Sequence, residues 1–385
     1  MTASYPVHEF NGNLAETPDE GNFIRQFKNA GYDSYFIGKW HQRGEGTLPT
    51  EFGFDASYAS TNAGGVYSHF FPFNPEDDAM NSPIGEVEPI RDVEADSREG
   101  DYLIDKLTDK MIGYVTTHDR SVPFFAVLST YAVHTPFQAK REDIERNETQ
   151  IADFDFGSGP EYEPEGNGVT KLRQDNAVYA AMVENMDWNV GRLLKALNEA
   201  GLDENTIVVF TSDHGGLSNR GNNNRELATT NSPLRAGKGH LYEGGIRVPL
   251  LLRWPNRIAP GVDEKSIVVL MDLMPSLLDL TVEEKMSGVD GLSFVPVLNG
   301  TQTWDDRTVF FHEAQARPNA TGDFPCTALR AGSFKFYHFL ETDHYELYDL
   351  SDDPSERTNL VETRPDVADR LTNELNHWTA QYRIR

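Results

Sequence analysis

The sequence contains a single cysteine, Cys326, among its 385 residues. One cysteine excludes a disulfide framework within the chain and any metal site built from several thiolates. No apolar run is long enough to cross a bilayer, and the first residues do not show the pattern of a signal peptide. We therefore expect no insertion of these residues into a membrane.

Basic residues are also scarce. The chain has 34 Lys and Arg against 61 Asp and Glu, so its formal net charge is −27. Such a charge is repelled by phosphate backbones and by anionic lipid surfaces, which argues against a nucleic-acid partner. An anionic substrate would need a local pocket of positive charge to overcome the field of the whole chain.

Helical and strand patterns alternate through most of the sequence. Apolar runs predict strands at 32–37, 123–131, 206–210 and 248–252, and helical spacing predicts helices at 22–30, 101–117, 171–200 and 266–280. The segments 49–97 and 150–170 have neither pattern, and we predict that they are irregular. The alternation indicates an α/β fold with a large, mostly parallel sheet between helices.

The pattern changes near residue 307. Short strands at 308–311, 326–330, 334–340 and 345–350 are predicted to form an antiparallel meander, followed by a closing helix at 365–382. We therefore divide the chain into an α/β catalytic domain, residues 1–305, and an antiparallel subdomain with its closing helix, residues 306–385.

Ionisable residues follow three of the predicted strands directly. Lys39 and His41 follow the first strand, His134 follows the second, and Asp213 with His214 follows the third. Ligands of parallel sheets lie beyond the carboxyl ends of the strands. The sequence therefore predicts that these side chains meet at one edge of the sheet.

A Gly-rich segment supplies one more cation, Lys238. Glycines at 237, 239, 244 and 245 allow the backbone to pass close to a ligand. Lysine and histidine side chains around one point would neutralise a sulfate or phosphate ester, and a histidine could exchange a proton with the leaving oxygen. Asp213 and His214 offer an oxygen and a nitrogen to a divalent cation, which needs further carboxylates.

Taken one at a time, each of these residues also has an ordinary structural explanation. His41 could be a packed histidine beside Trp40, and His134 could shape a turn before Thr-Pro. Asp213 could cap the next element, and Lys238 could be a solvated loop lysine. A binding site is favoured because several separate segments are predicted to bring such residues to one place.

Several segments together resemble the sulfatase family of the alkaline phosphatase superfamily. The matching stretches are GYDSYFIGKWH (31–41), FGFD (52–55), YAVHTPFQAK (131–140), YAAMVENMDWNVGRLL (179–194), IVVFTSDHGG (207–216), PLRAGKGHLYEGGIRVPLLLRWP (233–255) and ELYDLSDDPSERTNL (346–360). The resemblance implies a large mixed sheet between helices with a small C-terminal antiparallel sheet. It also implies hydrolysis of aryl or carbohydrate sulfate esters, and a periplasmic or secreted location for the complete protein.

The resemblance implies a role for each matching position. Lys39 would hold a sulfate oxygen, and His41 would assist breakdown of the covalent intermediate. His134 and Lys238 would grip the sulfate and help the ester oxygen to leave. Asp213 would be a calcium ligand, and His214 stands at a position where many members of the family have asparagine and where a ligand role is plausible.

The sequence departs from the family at its amino terminus. Members of the family have a Cys-x-Pro-Ser-Arg motif or a close variant, whose cysteine (in some members a serine) becomes the formylglycine nucleophile, and a pair of aspartates that completes the Ca²⁺ site. The printed sequence has neither, and MTASYP (1–6) resembles the segment that follows the motif. We therefore expect the first strand, the nucleophile, its neighbouring arginine and two calcium ligands to lie outside this chain. Cys326 is not expected to substitute for the nucleophile, because its surroundings, FPCTAL, do not match the motif.

Three hypotheses follow. The first is a sulfatase whose nucleophile segment lies outside the 385 residues, which alone would be inactive and marginally stable. The second is a non-catalytic relative that binds sulfated glycans. The third is a phosphatase or phosphonate hydrolase of the same superfamily.

Overall fold

A computed structural model describes residues 22–42, 48–61, 63–74, 90–263, 265–282, 286 and 288–382. The segment 1–6, which carries part of the family resemblance, lies outside the described residues. Of the helices in the described part of the chain, none is both long and apolar enough to cross a membrane.

The strands are numbered in chain order. They are β1 Asp33–Gly38, β2 Ala56–Tyr58, β3 Phe124–Ser129, β4 Tyr162–Glu165, β5 Gly168–Lys171, β6 Val208–Thr211, β7 Asn219–Arg220, β8 Leu250–Arg253, β9 Thr308–Glu313, β10 Cys326–Ala331, β11 Phe334–Phe339 and β12 His344–Asp349.

The helices follow the same numbering. They are α1 Phe23–Asn29, α2 Pro49–Phe52, α3 Arg91–Ala95, α4 Leu103–Thr117, α5 Arg141–Ala152, α6 Ala177–Glu199, α7 Glu243–Ile246, α8 Leu273–Thr281, α9 Val295–Leu298 and α10 Pro365–Gln381, with 3-10 turns at Asp203–Asn205 and Leu270–Asp272.

The parallel part of the fold is the sheet β2-β1-β3. Side chains of β1 alternate between its two faces, as the period of two in a strand requires. Tyr35 and Ile37 enter a core with α4, whereas Phe36 enters a second core with α1 and α8. Helices thus cover both faces of this sheet, as the alternating sequence pattern predicted.

Antiparallel pairing is confirmed for the C-terminal strands, which form a four-stranded sheet in the order β12-β11-β10-β9. The α/β class with a C-terminal antiparallel sheet is therefore confirmed. The strands β6 and β8 are a separate antiparallel pair in the described part of the chain. The expected large sheet is thus divided into two pieces.

Other differences lie where local pattern is weak. The segment 49–97, predicted to be irregular, contains α2, β2 and α3, and the segment 150–170 contains the start of the hairpin β4-β5. The long helix α6 begins at Ala177, because the Asn176 side chain accepts a hydrogen bond from the Tyr179 N–H at 2.9 Å and caps it.

A cavity of about 2170 Å³ separates the two pieces of the sheet. It is lined by every residue of β3 and of β6. Within the described residues, β3 pairs only with β1 and β6 pairs only with β8. All residues of β3 and β6 are only half-buried, whereas five of the six residues of β1 are buried. The two strands therefore turn unpaired edges toward a shared space.

Buried ion pairs hold the Gly-rich segment against the C-terminal sheet. The Lys335 ammonium, on β11, lies 2.9 Å from the Glu243 carboxylate at the start of α7. The Glu243 N–H in turn donates to the Glu356 carboxyl at 2.8 Å. All three side chains are buried. Because an unpaired buried charge is costly, this cluster fixes where the segment lies.

The substitution Lys335→Met tests this anchoring. It leaves Glu243 without its closest cation, so we expect a loss of about 3–5 kcal/mol in the free energy of unfolding. The matched control is Lys28→Met, which removes a largely exposed pair with Asp55 and should cost less than about 1 kcal/mol. Urea unfolding followed by fluorescence measures both. Equal effects of the two substitutions would contradict the anchoring role.

Candidate active site

Lys39 and His41 lie just beyond the carboxyl end of β1. Gly38 has a φ of +96°, and a Cβ there would lie 2.0 Å from the Ser129 carbonyl oxygen, so only glycine allows the approach. The Lys39 N–H donates to that same oxygen at 2.7 Å. The ends of β1 and β3 are thus joined where Lys39 begins.

The imidazole of His41 packs against a glycine. The His41 N–H donates to the Thr61 carbonyl at 3.1 Å. A Cβ at Gly64 would lie 2.5 Å from His41 Nε2. The segment 63–65 therefore forms part of the cavity wall beside His41.

His134 lies on the turn that follows β3. Its Nδ1 is 2.9 Å from the Thr135 carbonyl oxygen, which can only accept, so Nδ1 carries the proton. Burial, together with repulsion from Lys39 and Lys238, lowers the pKa of His134 to about 4. At neutral pH the ring is therefore uncharged, and its Nε2 is left as an acceptor.

A second histidine, His69, lies behind His134. Its Nε2 donates to the His134 carbonyl at 3.0 Å, and its backbone N–H donates to Gln138 Oε1 at 2.7 Å. The ring is buried, and its Nδ1 has no hydrogen-bond partner among the described residues. His69 thus positions the turn that carries His134. Sequence reasoning missed this residue, because it lies in a segment predicted to be irregular.

The loop that carries Lys238 is held by short backbone contacts. The Lys238 N–H donates to the Gly216 carbonyl at 3.1 Å. A Cβ at Gly237 would lie 2.3 Å from that same oxygen, which explains the glycine. The Asn231 amide donates to the carbonyls of Gly216 and Ala236, each at 2.9 Å. These contacts bring Lys238 beside the residues that follow β6.

The two lysines of the site have lowered pKa values. Burial, together with repulsion from Lys39, lowers the pKa of Lys238 to about 8. Burial also lowers the pKa of Lys39, while the nearby Asp213 carboxylate opposes that shift. Two partly buried ammonium groups close to each other are stabilised by an anion between them.

All six residues predicted from the sequence line the same cavity: Lys39, His41, His134, Asp213, His214 and Lys238. The structure therefore brings together the five residues that follow strands and Lys238 of the Gly-rich segment. Their individual chemical roles remain predictions.

The charge of the cavity lining is the reverse of that of the whole chain. Among the described residues that line it, the cations are Lys39, Arg120, Arg225, Lys238, Arg247, Arg257 and Arg317, and the only acid is Asp213. The chain as a whole has 61 acids against 34 bases. The cavity is thus the local positive pocket that an anionic substrate would need.

Comparison with known proteins decides the family. The model of the family described as Sulfatase matches residues 1–283. The chain belongs to the sulfatase family. A second model, described as N-sulphoglucosamine sulphohydrolase, C-terminal, matches residues 236–381.

Relatives and solved structures of this family align along most of the chain. A protein of Formosa agariphila named Sulfatase is 28% identical over 97% of this chain and 72% of its own length. The structure of Ps i-CgsB in complex with k-i-k-neocarrahexaose has a TM-score of 0.75 at 23% identity, and covers 98% of this chain and 80% of that one. A structure in complex with its substrate D-glucosamine-2-N,6-O-disulfate has a TM-score of 0.71 at 22% identity, and covers 100% and 87%. These likenesses establish the fold.

The described residues of this sulfatase do not make a complete calcium site. Ca²⁺ takes six to eight oxygen ligands, but no group of three or more His, Cys, Asp or Glu able to hold a metal occurs in the described part of the chain. His214 Nε2 lies 3.2 Å from the Asp213 carboxylate, and its Nδ1 contacts the Gly215 carbonyl at 2.9 Å. His214 thus contacts Asp213 and the backbone.

Cys326, the only cysteine of the sequence, is not suited to act as the nucleophile. Cys326 lies on β10 and is buried in the core of the C-terminal sheet. Burial raises the pKa of its thiol far above the ordinary value, so the reactive thiolate does not form. The cysteine lines a smaller cavity of about 200 Å³ and not the one that contains Lys238.

The pKa of Lys238 predicts how anion binding depends on pH. The ammonium is charged below about pH 8 and neutral above it. We therefore expect the affinity for phenyl sulfate to fall as the pH rises through 8, by about tenfold or more when the charge-assisted hydrogen bond is lost. Isothermal titration calorimetry between pH 6 and 9.5 measures the change.

Lys238→Arg is the matched variant, because a guanidinium keeps its charge throughout this range. It should flatten the pH profile, and Lys39 should account for any fall that remains. Lys238→Ala should bind weakly at every pH. A wild-type affinity that stays constant up to pH 9.5 would contradict the assignment.

Proposed function

We propose that this chain supplies the sulfate-binding side of a sulfatase that hydrolyses sulfate esters of carbohydrates. The observation that carries the proposal is the convergence of Lys39, His134 and Lys238, from three segments, on one cavity, in which Asp213 is the only acid among the described lining residues. The carbohydrate substrate is supported by the sugar ligands of the two similar structures.

The residues present account for binding and for proton movement. Lys39 and Lys238 would bind sulfate oxygens through charge-assisted hydrogen bonds. Nε2 of the neutral His134 is an acceptor, both lysines are close enough to lower the pKa of the ring, and a bound sulfate ester would raise that pKa by adding negative charge. The protonated ring would then donate to the ester oxygen as the S–O bond breaks.

The family resemblance implies a formylglycine and a calcium ion, and the described residues do not provide either one fully. We propose that both are completed by residues outside the described part of the chain, with Asp213 as one calcium ligand. His41 is proposed to assist at the same centre.

A chain that carries the motif tests this function. The coding region upstream of Met1 is read for an in-frame Cys-x-Pro-Ser-Arg motif, and the extended protein is assayed with phenyl sulfate, sulfated monosaccharides and phenyl phosphate. We expect turnover of the sulfate esters and little of the phosphate. Lys238→Ala should lower kcat/KM by about 100-fold or more, whereas Cys326→Ala should leave it unchanged. An extended protein that contains the motif and is inert toward every sulfate ester would contradict the proposal.

Sulfate binding without catalysis is the second candidate. It is favoured by one observation: the binding residues are assembled in this chain, while its only cysteine is buried in another core. Salt-sensitive binding of a sulfated disaccharide that is lost in Lys238→Ala, with no turnover by the extended protein, is the result that this candidate predicts.

The divided sheet leads to a separate proposal. We infer that an extended segment from outside the described residues inserts between β3 and β6 and pairs with both. The support is that both strands have an unpaired edge on the shared cavity and side chains that are only half-buried. An inserted strand would satisfy these backbone groups, whose exposure otherwise favours aggregation.

Hydrogen exchange tests the inserted strand. In the extended protein, amides of β3 and β6 should exchange at least about tenfold more slowly than in the 385-residue chain, because hydrogen-bonded strand amides are protected. Amides of β10 and β11, which are already paired on both edges, are the internal control and should exchange equally in both forms. Unchanged exchange in β3 and β6 would contradict the inserted strand.

A further inference from the structure

Two arginines that line the cavity, Arg225 and Arg317, are not among the residues proposed to bind the scissile sulfate. Arg225 lies in the loop after β7, and Arg317 lies in the segment after β9. Both side chains line the cavity and are exposed. Both are close enough to Lys238 to repel its ammonium. Within the described residues, neither guanidinium has an ion-pair partner.

The two loops are bound firmly to each other. The Asn223 amide donates to the Asn319 and Ala320 carbonyls at 2.6 and 2.8 Å. A Cβ at Gly221 would lie 1.9 Å from the Pro318 carbonyl oxygen, so the backbones touch. The two loops therefore pack together as one unit, here called the platform, and both arginines lie on it.

The platform is joined to the loop of Lys238. The Asn219 amide donates to the Lys238 carbonyl at 3.1 Å and to the Thr321 carbonyl at 2.6 Å. Asp323 accepts the Arg317 backbone N–H at 3.1 Å, and a Cβ at Gly239 would lie 3.0 Å from Asp323 Oδ1. These contacts hold the loops that carry both arginines in place relative to the loop of the sulfate-binding lysine.

Among the described residues, nearby acids do not form ion pairs with the two arginines. The Asp323 carboxylate accepts from the Arg317 backbone and from the Thr321 hydroxyl. Glu226, next to Arg225, accepts from the Asn176 amide at 2.7 Å. In a chain with a net charge of −27, four neighbouring cations with so little local compensation favour an anion from outside the chain.

We propose that Arg225 and Arg317 form a second anion subsite, which binds another sulfate or carboxylate group on the sugar next to the one that carries the scissile sulfate. The inference rests on the proposed function, because it places the scissile sulfate at Lys39 and Lys238. A planar guanidinium binds either kind of anion with two parallel hydrogen bonds. The substrate class is thus a glycan fragment with at least two anionic groups.

Calorimetry on the 385-residue chain with three disaccharide probes tests the subsite. The first probe has one 6-O-sulfate and a neutral neighbouring sugar, the second has a further sulfate on the neighbour, and the third has a uronate as the neighbour. We expect the wild type to bind the second or third probe at least about tenfold more tightly than the first. The preferred probe identifies the anion.

The variant Arg225→Gln/Arg317→Gln should reduce this preference to less than about twofold and leave Lys238-dependent binding of the first probe. The charge-matched control Arg141→Gln/Arg370→Gln, on the exposed faces of α5 and α10, should retain the full preference. Two results would overturn the subsite but not the proposed function. One is a wild type that binds the three probes equally, and the other is a preference for the second or third probe that survives in Arg225→Gln/Arg317→Gln. Failure of the wild type to bind any probe, or binding that survives Lys238→Ala, would overturn the proposed function and the subsite with it.

Discussion

The contact between Glu243 and Lys335 joins the Gly-rich segment to the C-terminal sheet, and much of the site depends on it. Lys335 is buried in the sheet, and Glu243 lies a few residues after Lys238. The same segment is held on its other side by Arg235, which binds the Glu165 carboxylate of β4 through two hydrogen bonds. These ion pairs, one on each side of Lys238, hold the Gly-rich segment in place and so fix the position from which the Lys238 ammonium extends.

The second constraint is electrostatic. Burial lowers the pKa of both Lys39 and Lys238, and for Lys238 repulsion from Lys39, Arg317 and Arg225 contributes to the lowering. An acidic chain could cancel the charge with nearby carboxylates. Instead, acids near the cavity, such as Asp323, accept hydrogen bonds from the backbone and from a hydroxyl. The fold therefore keeps a positive pocket inside a strongly negative molecule.

The sequence predicted the parts of the site that follow strands. Lys39, His134 and Asp213 could be found because apolar runs reveal strand ends and parallel strands end at a common edge. Arg225 and Arg317 could not be found, since their positions depend on hydrogen bonds between loops that are distant in sequence, such as Asn223 to Asn319. The helix α5 was missed because its sequence is mostly polar and has no apolar stripe. It is held to α6 by polar contacts with Glu184 and by Ile144, which packs against Ala181 and Met182.

The cavity wall is assembled from segments that run from Lys39 to Arg317, across most of the chain. A ligand that touches several of these segments would bridge parts of the polypeptide made early and late in synthesis. Its binding free energy adds to the stability of the folded state alone, because the unfolded chain cannot gather the same cations. The ligand would thus act as a reversible cross-link across the whole fold.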